Sequence, residues 1–487
     1  PDEYMPNRAS WANRTRHRNR IQRIPRCHYS RSTRQLARCI IDGLGSLTPN
    51  REGFASVSHS PHIVVIGGGF AGIECVKALR GANARITLID RQNHHLFQPL
   101  LYQVATAALS ATSIAAPIRE VFAKRKDVSV LMDEVRSIHP EMRAVNLASG
   151  RRIEADYIVL AAGLRSVYFG NDEWETHAPS LKSISDAIEI RRKFVSAFEA
   201  AELLDDDADR SRQLTFVVIG AGPTGVEMAG AFAELSRKTL RDEYRRFDTS
   251  DARVILIEGQ DRVLPTYSPG SSEQAKRDLE ELGVEVMLNT LVEDMDDMAV
   301  TLSDGNRVAT STIVWAAGVA GESIGSTLNS ERTKGGKIVV SDDLSVPDHP
   351  NIFVAGDIAH VIDPKSNAPV PGVAPAAIQM GRFVGRAIKR ELNATRNNRP
   401  SPDRSAFVYR DKGSLATIGR NRAVAELAGR RFSGYPAFLL WAIVHIYFLI
   451  GYRNRIMTML QWFWQYVHYD RSARIIPTKS YEFRDKE

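Results

Sequence analysis

Cysteine is scarce in this chain of 487 residues, which contains only Cys27, Cys39 and Cys75. No two of them have the C-x-x-C or C-x-x-x-x-C spacing of redox pairs, metal sites or iron–sulfur sites. The sequence therefore excludes a disulfide framework and electron transfer through a cysteine pair. The 12 histidines form no H-E-x-x-H or H-x-x-E-H motif, so no metal site is expected.

Acidic residues are scarce in the first 60 positions, where eleven Arg and no Lys accompany only Asp2, Glu3, Asp42 and Glu52. This surplus of seven positive charges equals the net charge of +7 of the whole chain, so the remainder is close to neutral. Nucleic-acid binding by that remainder gains no support from the basic composition. We expect residues 1–60 to be an Arg-rich, disordered extension; a transit peptide has a similar composition and is the alternative.

The first of two glycine-rich loops reads VVIGGGFAG at 64–72, after the apolar run HIVVI and before a helix-like segment. In this context G-x-G-x-x-G binds a dinucleotide, because glycines permit close approach of the pyrophosphate and the helix N-terminus supplies free N–H groups. Asp90 ends the next strand, where a carboxylate accepts hydrogen bonds from ribose. The alternative is a tight turn without a ligand. The predicted loop contacts are Gly67, Gly69, Phe70, Ala71 and Gly72.

A second loop of the same design reads VVIGAGPTG at 217–225, and Glu258 ends its second strand. This carboxylate favours NADH because it would repel the 2′-phosphate of NADPH, although Arg262 lies nearby and leaves NADPH open. Two apolar strands run into A-A-G, at 156–163 and 311–318, which indicates an internal duplication of a nucleotide-binding plan. The residues added by these patterns are Gly220, Gly222, Gly225, Ala162, Gly163, Ala317 and Gly318.

The order of these elements predicts an α/β fold with two Rossmann-like dinucleotide-binding domains. The segment NIFVAGDIAH (351–360) follows the second unit, and over about 62–400 the chain resembles flavoproteins with two dinucleotide-binding domains. In these proteins the Gly-Asp of that segment, here with Asp357, lies beside the ribitol and pyrophosphate of the flavin. The resemblance implies FAD on the first loop and NADH on the second, so that a hydride can pass between them.

The C-terminal region is rich in aromatic residues and Arg and poor in acids. Residues 437–451 carry no formal charge, but this run of 15 residues is shorter than the ~20 that a membrane span needs. Trp441, Trp462 and Trp464 belong to a residue type that favours the bilayer interface. We expect helices that lie in the membrane surface; helices buried against the body or in a dimer interface are the alternative.

Over about 62–475 the chain resembles type II NADH dehydrogenases, the single-chain, non-pumping NADH:quinone oxidoreductases. The resemblance rests on the aromatic tail and on HHLFQPLLYQVATAAL (94–109), GAGPTGVEMAGAFAEL (220–235), VPGVAPAAIQMG (370–381) and DKGSLATIGRNRAVAEL (411–427). It implies non-covalent FAD, NADH as donor, ubiquinone or menaquinone as acceptor, a C-terminal helical membrane-anchoring module and a homodimer. It also implies a peripheral protein on the cytoplasmic face of the inner or plasma membrane, rather than on the mitochondrial inner membrane.

The domains expected from these assignments are five segments of the chain. They are an extension (1–60), the first part of an FAD domain (61–170), an inserted NADH domain (171–320), the second part of the FAD domain (321–400) and a membrane-associating domain (401–487).

The resemblance also implies roles for individual residues. Glu227 matches a glutamate expected to shape the nicotinamide and quinone region and to relay protons, whereas a helix-start carboxylate stabilised by the helix dipole is the alternative. Gln379 matches the second Gln of an A-Q-x-A-x-Q quinone motif, whose first Gln is replaced here by Pro375. Lys412, in a D-K-G turn, is expected near the flavin, although a tight turn alone would also explain it. The remaining implied FAD contacts are Val135 and Ala377.

Two other functions stay open on the sequence alone. One is an NAD(P)H-dependent reductase of a ferredoxin or rubredoxin partner, which would need a charged docking face and no aromatic tail. The other is a membrane-associated flavoprotein without an enzymatic role. Proton pumping is not expected, because the chain shows no bundle of membrane helices with buried charges.

Overall fold

The computed structural model describes residues 60–468 and 474–476. The expectation of a disordered N-terminal extension, together with Cys27 and Cys39, lies outside these residues. The described part is an α/β structure whose strands and helices are arranged around two parallel sheets, as the duplicated sequence pattern predicts.

The first sheet has six strands, and its central strand His62–Ile66 is buried at every position. All neighbouring strands pair in parallel except the antiparallel edge pair Ser345–Val346 and His349–Val354. Parallel sheets are covered on both faces, which is why the strand sequences are continuous apolar runs. In spatial order the strands are Ser345–Val346, His349–Val354, Tyr157–Leu160, His62–Ile66, Arg85–Asp90 and Val128–Met132.

We call the elements around the six-stranded sheet the first unit and those around the four-stranded sheet the second unit. Two helices of the first unit pack closely against each other, and glycines permit the contact. Phe70–Ala78 follows the first glycine loop, and Ala374–Arg396 returns to it from far along the chain. A Cβ on Gly381 would overlap the carbonyl oxygen of Ala71, so only glycine allows this spacing. The first loop is therefore supported by a helix that comes after the second unit in the sequence.

The second sheet has four strands, all parallel, and repeats the plan of the first. Its core contains a cluster of phenylalanines, in which the rings of Phe194 and Phe232 stack with centroids 4.3 Å apart. In spatial order the strands are Val284–Met287, Arg253–Ile257, Thr215–Ile219 and Thr312–Trp315. The helices of this unit are Ile184–Leu203, Asp207–Gln213, Pro223–Glu234, which continues as a π turn over Leu235–Thr239, and Pro269–Glu281.

A short antiparallel pair joins the two units. Leu164–Ser166 continues from the first A-A-G segment, Val319–Gly321 continues from the second, and the two strands pair with each other. Because each strand leaves the carboxyl end of its own parallel sheet, this pairing turns the carboxyl ends of both sheets toward one region. In doubly wound folds ligands bind at that end of the sheet.

The other elements of the described chain are short. The small antiparallel sheets comprise Val135–His139, Ala144–Leu147 and Arg152–Glu154; Val292–Met295, Ala299–Leu302 and Arg307–Ala309; His94–Leu96 and Ala115–Pro117; and Ile362–Asp363 and Ala368–Pro369. Ile338–Val339 and Ala359–His360 pair in parallel. The short α-helices are Leu101–Ala105, Ala111–Ile114 and Ile118–Val121, and the 3-10 helices are Gln98–Leu100, Asp172–Thr176, Thr249–Asp251 and Ser323–Leu328.

The C-terminal region forms an antiparallel sheet followed by two helices. The sheet consists of Ser414–Gly419, Arg422–Leu427 and Arg430–Ser433, and it packs on the helix of the second glycine loop. The contact is close, because a Cβ on Gly230 would overlap the carbonyl oxygen of Ile418. The helices are Gly434–Phe448 and Tyr452–His468.

The C-terminal tryptophans differ in their surroundings, which corrects the expectation that all three lie at a membrane surface. Trp441 is only 2% exposed, since it packs into the core of the second unit. Trp462 donates its Nε1–H to Gln103 Oε1 at 2.7 Å and stacks near Trp441, whereas Trp464 is 55% exposed. Within residues 60–468, no helix combines the length and apolar character that crossing a membrane requires.

Candidate active site

The first loop has the geometry that dinucleotide binding requires. Gly67 adopts φ = 102°, a left-handed conformation that favours glycine, and the helix begins directly after Gly69, whose Cα faces open space. A Cβ on Gly72 would overlap the Gly67 carbonyl oxygen, so this third glycine allows the helix to approach the strand. The free N–H groups at the start of the helix are thus exposed to a ligand.

The second loop repeats this geometry position by position. Gly220 has φ = 98°, and the helix starts with Pro223 directly after Gly222, whose Cα also faces open space. A Cβ on Gly225 would overlap the Gly220 carbonyl oxygen. The internal duplication predicted from sequence therefore extends to the backbone conformation.

The two strand-end acids hold their loops in the same way. Asp90 Oδ2 accepts a hydrogen bond from the N–H of Gly68 at 2.5 Å, and Glu258 Oε2 accepts one from Ala221 at 2.6 Å. The second oxygen of each carboxylate accepts from the residue two positions later, Gln92 or Gln260. These carboxylates therefore lie at the loop, where a ribose bound to the same strand would meet them.

One large cavity of about 1490 Å³ brings most of the predicted residues together. It extends between the two units, and Pro223 and Thr224 of the second loop line it as well. A typical small-molecule site has roughly 300–1,000 Å³, so this cavity is large enough for more than one ligand. The predicted residues that line it are Gly67, Gly69, Phe70, Ala71, Asp90, Val135, Ala162, Gly163, Glu227, Ala317, Gly318, Asp357 and Ala377.

The other predicted residues lie outside this lining. The glycines of the second loop and Glu258 form the turn behind Pro223 and Thr224, and Gly72 packs against its own loop. Lys412 is exposed, although its neighbours Gly413 and Ser414 line the cavity. The residues outside the lining are Gly72, Gly220, Gly222, Gly225, Glu258, Gln379 and Lys412.

The side-chain amide of Gln379 is engaged by backbone. Its Nε2 donates to the carbonyl oxygens of Arg410 at 3.0 Å and Pro375 at 3.1 Å, and its Oε1 accepts from the Arg410 N–H at 3.0 Å. Both functional atoms of the amide thus bind the backbone of the segment that leads to Lys412. The predicted quinone contact of Gln379 stays a prediction, and on the same helix Pro375, Ala377 and Ile378 face the cavity instead.

Glu227 is buried and lines the cavity from the helix of the second loop. Burial raises the pKa of its carboxyl well above the ordinary value, and a hydrogen bond from the Thr417 backbone only partly opposes this. Burial therefore favours the protonated form of this carboxyl, which can donate a hydrogen bond or a proton. Thr417 belongs to the C-terminal sheet, so this sheet helps to form the site.

Asp357 and Lys182 both line the cavity and influence the pKa of each other. Burial raises the pKa of Asp357, and the positive charges of Lys337 and Lys182 oppose that shift. Burial also lowers the pKa of Lys182, while Asp357 opposes the change. Lys182 precedes the long helix that begins at Ile184, and the N–H of Lys182 donates to Asp186 Oδ2 at 3.0 Å. The cation is thereby anchored by the helix cap.

Several cavity residues were not identified from sequence. Phe97 and Tyr102 lie in HHLFQPLLYQVATAAL, which carried the family resemblance without individual roles. His445 belongs to a segment that was interpreted as a lipid-facing helix, while Lys182 and Tyr267 belong to no motif. Burial raises the pKa of Tyr267, so its hydroxyl is neutral at physiological pH.

The single cysteine of the described residues takes no part in this site. Cys75 is fully buried in the helix of the first loop, and burial raises the pKa of its thiol to about 12. A thiol of that pKa is not a nucleophile at neutral pH.

The observed geometry fits FAD and NADH. A Cβ added to Gly69, Gly163 or Gly222 would have no neighbouring atom within 4 Å, which leaves space beside both loops for a pyrophosphate. The helix starts provide N–H donors, and Asp90 presents a carboxylate to the cavity beside the first loop.

Comparison with known proteins identifies the family. The family model of the pyridine nucleotide-disulphide oxidoreductases matches residues 61–381, and that of the NDH2 C-terminal domain matches residues 412–468. The chain is 42% identical over 420 residues to the type II NADH:quinone oxidoreductase NdhA of Mycobacterium tuberculosis, covering 84% of this chain and 87% of the relative.

Two further comparisons agree with this assignment. The second type II NADH:quinone oxidoreductase of that organism, Ndh, is 41% identical over 427 residues, covering 85% of this chain and 90% of the relative. The fold matches the solved structure of NDH2 from Plasmodium falciparum in complex with NADH, with a TM-score of 0.78 and 20% identity over 85% of this chain and all of that one. The chain therefore belongs to the pyridine nucleotide-disulphide oxidoreductase family and, within it, to the type II NADH:quinone oxidoreductases.

Proposed function

We propose that the protein oxidises NADH and reduces a quinone to a quinol, with non-covalent FAD as its resident cofactor and without pumping protons. The observation that carries this proposal is the large cavity, whose lining includes both dinucleotide loops, the buried Glu227 and the helix Gly434–Phe448. When bound, FAD supplies the carrier that accepts two electrons from NADH and passes them to the quinone.

We assign FAD to the first loop and NADH to the second. Asp90, Asp357 and the helix start after Gly69 line the part of the cavity beside the first sheet, together with Val135 and Ala377. On this assignment the inserted NADH domain spans 171–320 and the FAD domain spans 61–170 and 321–400. Glu258 favours NADH over NADPH, because its carboxylate lies at the loop.

The quinone is assigned to the end of the cavity that the C-terminal region closes. Glu227, Tyr267, Leu415, His445 and Phe448 line this end, and burial shifts the pKa of each of its titratable side chains toward the uncharged form. An uncharged, largely apolar lining suits a neutral, lipid-soluble quinone. Reduction to the quinol consumes two protons, and Glu227, whose protonated form burial favours, can deliver one of them to a quinone oxygen.

We propose that the C-terminal helices attach the protein to a membrane surface. Each helix carries a row of exposed apolar side chains, and such a contiguous patch marks an interaction site. The occupant we assign is lipid, because the helix Gly434–Phe448 carries part of this patch and also lines the end of the cavity assigned to the lipid-soluble quinone. The patch comprises Tyr435, Leu439, Ile443, Tyr447, Tyr452, Ile456, Met457, Met459, Leu460, Phe463, Trp464 and Val467.

This attachment makes residues 401–487 a membrane-associating module of a peripheral protein. We place it on the cytoplasmic face of the inner or plasma membrane and propose a homodimer as the functional unit. Sedimentation velocity over a range of concentrations measures the oligomeric state, and a strictly monomeric FAD-loaded protein would contradict the dimer.

Anaerobic titration tests the proposed reaction. The purified protein should release one FAD per chain on acid treatment, and NADH should bleach its flavin absorbance. Adding a short-chain quinone should restore the absorbance and produce quinol. If NADH reduces the flavin but only a ferredoxin or rubredoxin reoxidises it, the chain is a reductase of a protein partner. Turnover that is negligible with all of these acceptors would favour a non-enzymatic flavoprotein.

Vesicle binding tests the membrane assignment. The double variant Phe463→Ser and Trp464→Ser changes two exposed residues, so we expect weaker binding to vesicles of phosphatidylcholine and phosphatidylglycerol. Trp462→Phe is the matched control, because Trp462 faces the body of the protein. If the double variant binds vesicles like the wild type while its oligomeric state changes, the patch is a subunit interface instead.

A further inference from the structure

His445 is the polar side chain that the helix Gly434–Phe448 contributes to the cavity. It lies between the aromatic rings of Trp441, with centroids 4.4 Å apart, and Phe97, at 6.2 Å. Phe97 also contacts Phe70 of the first loop, with ring centroids 5.7 Å apart. The imidazole is therefore held by packing on both sides and has little freedom to turn.

The hydrogen bonding of His445 fixes its tautomer. Its Nδ1 lies 2.7 Å from the carbonyl oxygen of Trp441 in the preceding helical turn. A carbonyl oxygen can only accept, so Nδ1 carries the proton and Nε2 of the neutral ring carries a lone pair. Burial lowers the pKa of His445 to about 4, although the Trp441 carbonyl opposes this shift, so the ring is neutral at physiological pH.

The lone pair of His445 Nε2 is available to a donor that enters the cavity. In the described residues His445 Nε2 has no hydrogen-bond partner, and the side chain lines the cavity beside Val444 and Phe448. Because His445 lines the cavity, a ligand there that carries a donor group can pair with this acceptor. A quinone has only carbonyl acceptors, whereas its quinol has two O–H donors.

We propose that His445 Nε2 accepts a hydrogen bond from a hydroxyl of the quinol, so that this site binds the reduced form more tightly than the oxidised form. The inference rests on the proposed function and assigns a residue to its product. The quinone takes up two electrons and two protons, and only then does the O–H group exist that His445 can accept. His445 acts as a binding residue for the product and need not transfer a proton.

The consequence is a shift of the reaction toward quinol in the site. One hydrogen bond is worth a factor of about ten in affinity. For a two-electron couple, tenfold tighter binding of the reduced form raises the potential of the bound quinone by about 30 mV. Electron transfer to the quinone is thereby favoured within the complex.

Two variants separate the acceptor from the packing. His445→Phe keeps an aromatic ring between Trp441 and Phe97 but removes the acceptor, while His445→Gln keeps an oxygen that can accept. With a decyl-chain benzoquinone and its quinol, the quinol inhibition constant and the quinone KM are measured on FAD-loaded enzyme. We expect His445→Phe to weaken quinol binding about tenfold with less than a twofold change in quinone KM, and His445→Gln to restore most of the loss.

The controls are the FAD content, the melting temperature and the rate of flavin reduction by NADH, which a change confined to quinol binding leaves near wild type. Equal weakening of quinone and quinol in His445→Phe, or no change in either, would overturn the proposal. A wild type that reduces no quinone would overturn the proposed function itself.

A test on the ligand covers the case in which neither variant folds. The dimethyl ether of the same quinol has no O–H donors but similar size. The proposal expects it to inhibit the wild type about tenfold more weakly than the quinol monomethyl ether, which keeps one donor. Equal inhibition by the two ethers would contradict a donor-dependent contact.

Discussion

The helices that follow the two dinucleotide loops carry glutamates at the same position, and the pKa values of these two glutamates are shifted in opposite directions. Glu74 follows Gly72 by two residues, and Glu227 follows Gly225 by two residues. Both lie in the first turns of helices that start from equivalent loops with nearly equal φ angles.

Glu74 is kept ionised by its neighbours. Burial opposes ionisation, but hydrogen bonds from Lys77 at 2.8 Å and Arg382 at 2.6 Å hold the pKa of Glu74 below its ordinary value. Arg382 comes from the helix Ala374–Arg396, which packs on the first loop helix. Glu74 therefore serves as a structural ion pair.

At the equivalent position of the second loop helix, Glu227 lies next to a different structural element. The C-terminal sheet packs on the helix of the second loop and offers the backbone of Thr417 and the carbonyl of Ile418 instead of a cation. Among the described residues Glu227 has no salt bridge. In this duplicated fold, the pKa of the equivalent glutamate is therefore set by the element that packs against each loop helix. In the second copy that element is the C-terminal sheet.

The largest effect on cofactor binding is expected from replacing the third glycine of either loop motif by alanine. Gly72→Ala and Gly225→Ala place a Cβ against the carbonyl of the first loop glycine, Gly67 or Gly220, at a cost of about 3 kcal/mol or more. We expect Gly72→Ala to lose FAD, and Gly225→Ala to keep FAD but lose NADH affinity. The FAD-to-protein absorbance ratio and an NADH titration measure this. Equal loss of FAD in both variants would break the assignment of one cofactor to each loop.

The next effect concerns the glutamates themselves. Glu227→Gln resembles the protonated acid in shape but cannot give up a proton, so we expect quinone turnover to fall about 10²-fold while NADH still reduces the flavin. Glu74→Gln is the matched control and should keep turnover within about twofold, because Glu74 pairs with Lys77 and Arg382. Stopped-flow absorbance separates the two half-reactions. Similar losses of turnover in both variants would mean that the two positions are not specialised.

A smaller effect is expected from the strand-end acids. Glu258→Gln removes a negative charge but keeps an acceptor for the Ala221 N–H, so the preference for NADH over NADPH should narrow by about tenfold. Asp90→Asn at the equivalent position should weaken FAD binding and leave that preference unchanged. The ratio of kcat/KM for the two nucleotides measures it. An unchanged ratio in Glu258→Gln would show that the carboxylate does not select the donor.

The smallest effect is on the pH dependence of the free energy of unfolding. The contributions of Glu74 and Glu227 to this dependence should have opposite signs. The raised pKa of Glu227 contributes stability that is present below the unfolded value of 4.5 and is lost as the pH rises toward the folded pKa. Glu74, with a lowered pKa, contributes stability above 4.5 that is lost as the pH falls.

Melting temperatures between pH 4 and 8 measure this difference. Relative to the wild type, Glu227→Gln should gain stability as the pH rises above 4.5, by at most about 1.4 kcal/mol per pH unit. Glu74→Gln should lose stability over its own window, as the pH rises through 4.5. If the melting temperatures of the two variants changed with pH in the same way, this would contradict the opposite pKa shifts of Glu74 and Glu227.

The sequence predicted the two loops and the family because these features are local. Glycines at a fixed spacing indicate the backbone conformation of the loop that contains them. The family model and the relatives confirm the resemblance to type II NADH dehydrogenases. The opposite pKa shifts of Glu74 and Glu227 could not be predicted, since each residue is a glutamate near the start of a helix. What separates them is Arg382 in one case and the sheet at Thr417 in the other, and both lie far away in sequence.

The C-terminal helices show the same limit. Trp441, Trp462 and Trp464 look alike in composition, but only Trp464 faces outward, because Gln103 and the core of the second unit engage the other two. His445 lies in the same apolar run, and no pattern in that run indicates that it lines the cavity. Its role depends on the proximity of Phe97, which comes from a segment that no pattern in the sequence connects with the tail.

The strand order of the first sheet has a consequence for synthesis on the ribosome. His349–Val354 pairs with Tyr157–Leu160, and the entire second sheet lies between them in the sequence. The second unit can thus fold while the first, although made earlier, still presents an open strand edge to the nascent chain's surroundings. Asp357 and the helix that supports the first loop emerge after that strand. Cofactor capture therefore comes late, and a chain stalled before residue 349 would be an aggregation-prone protein with a finished NADH unit and no stable place for FAD.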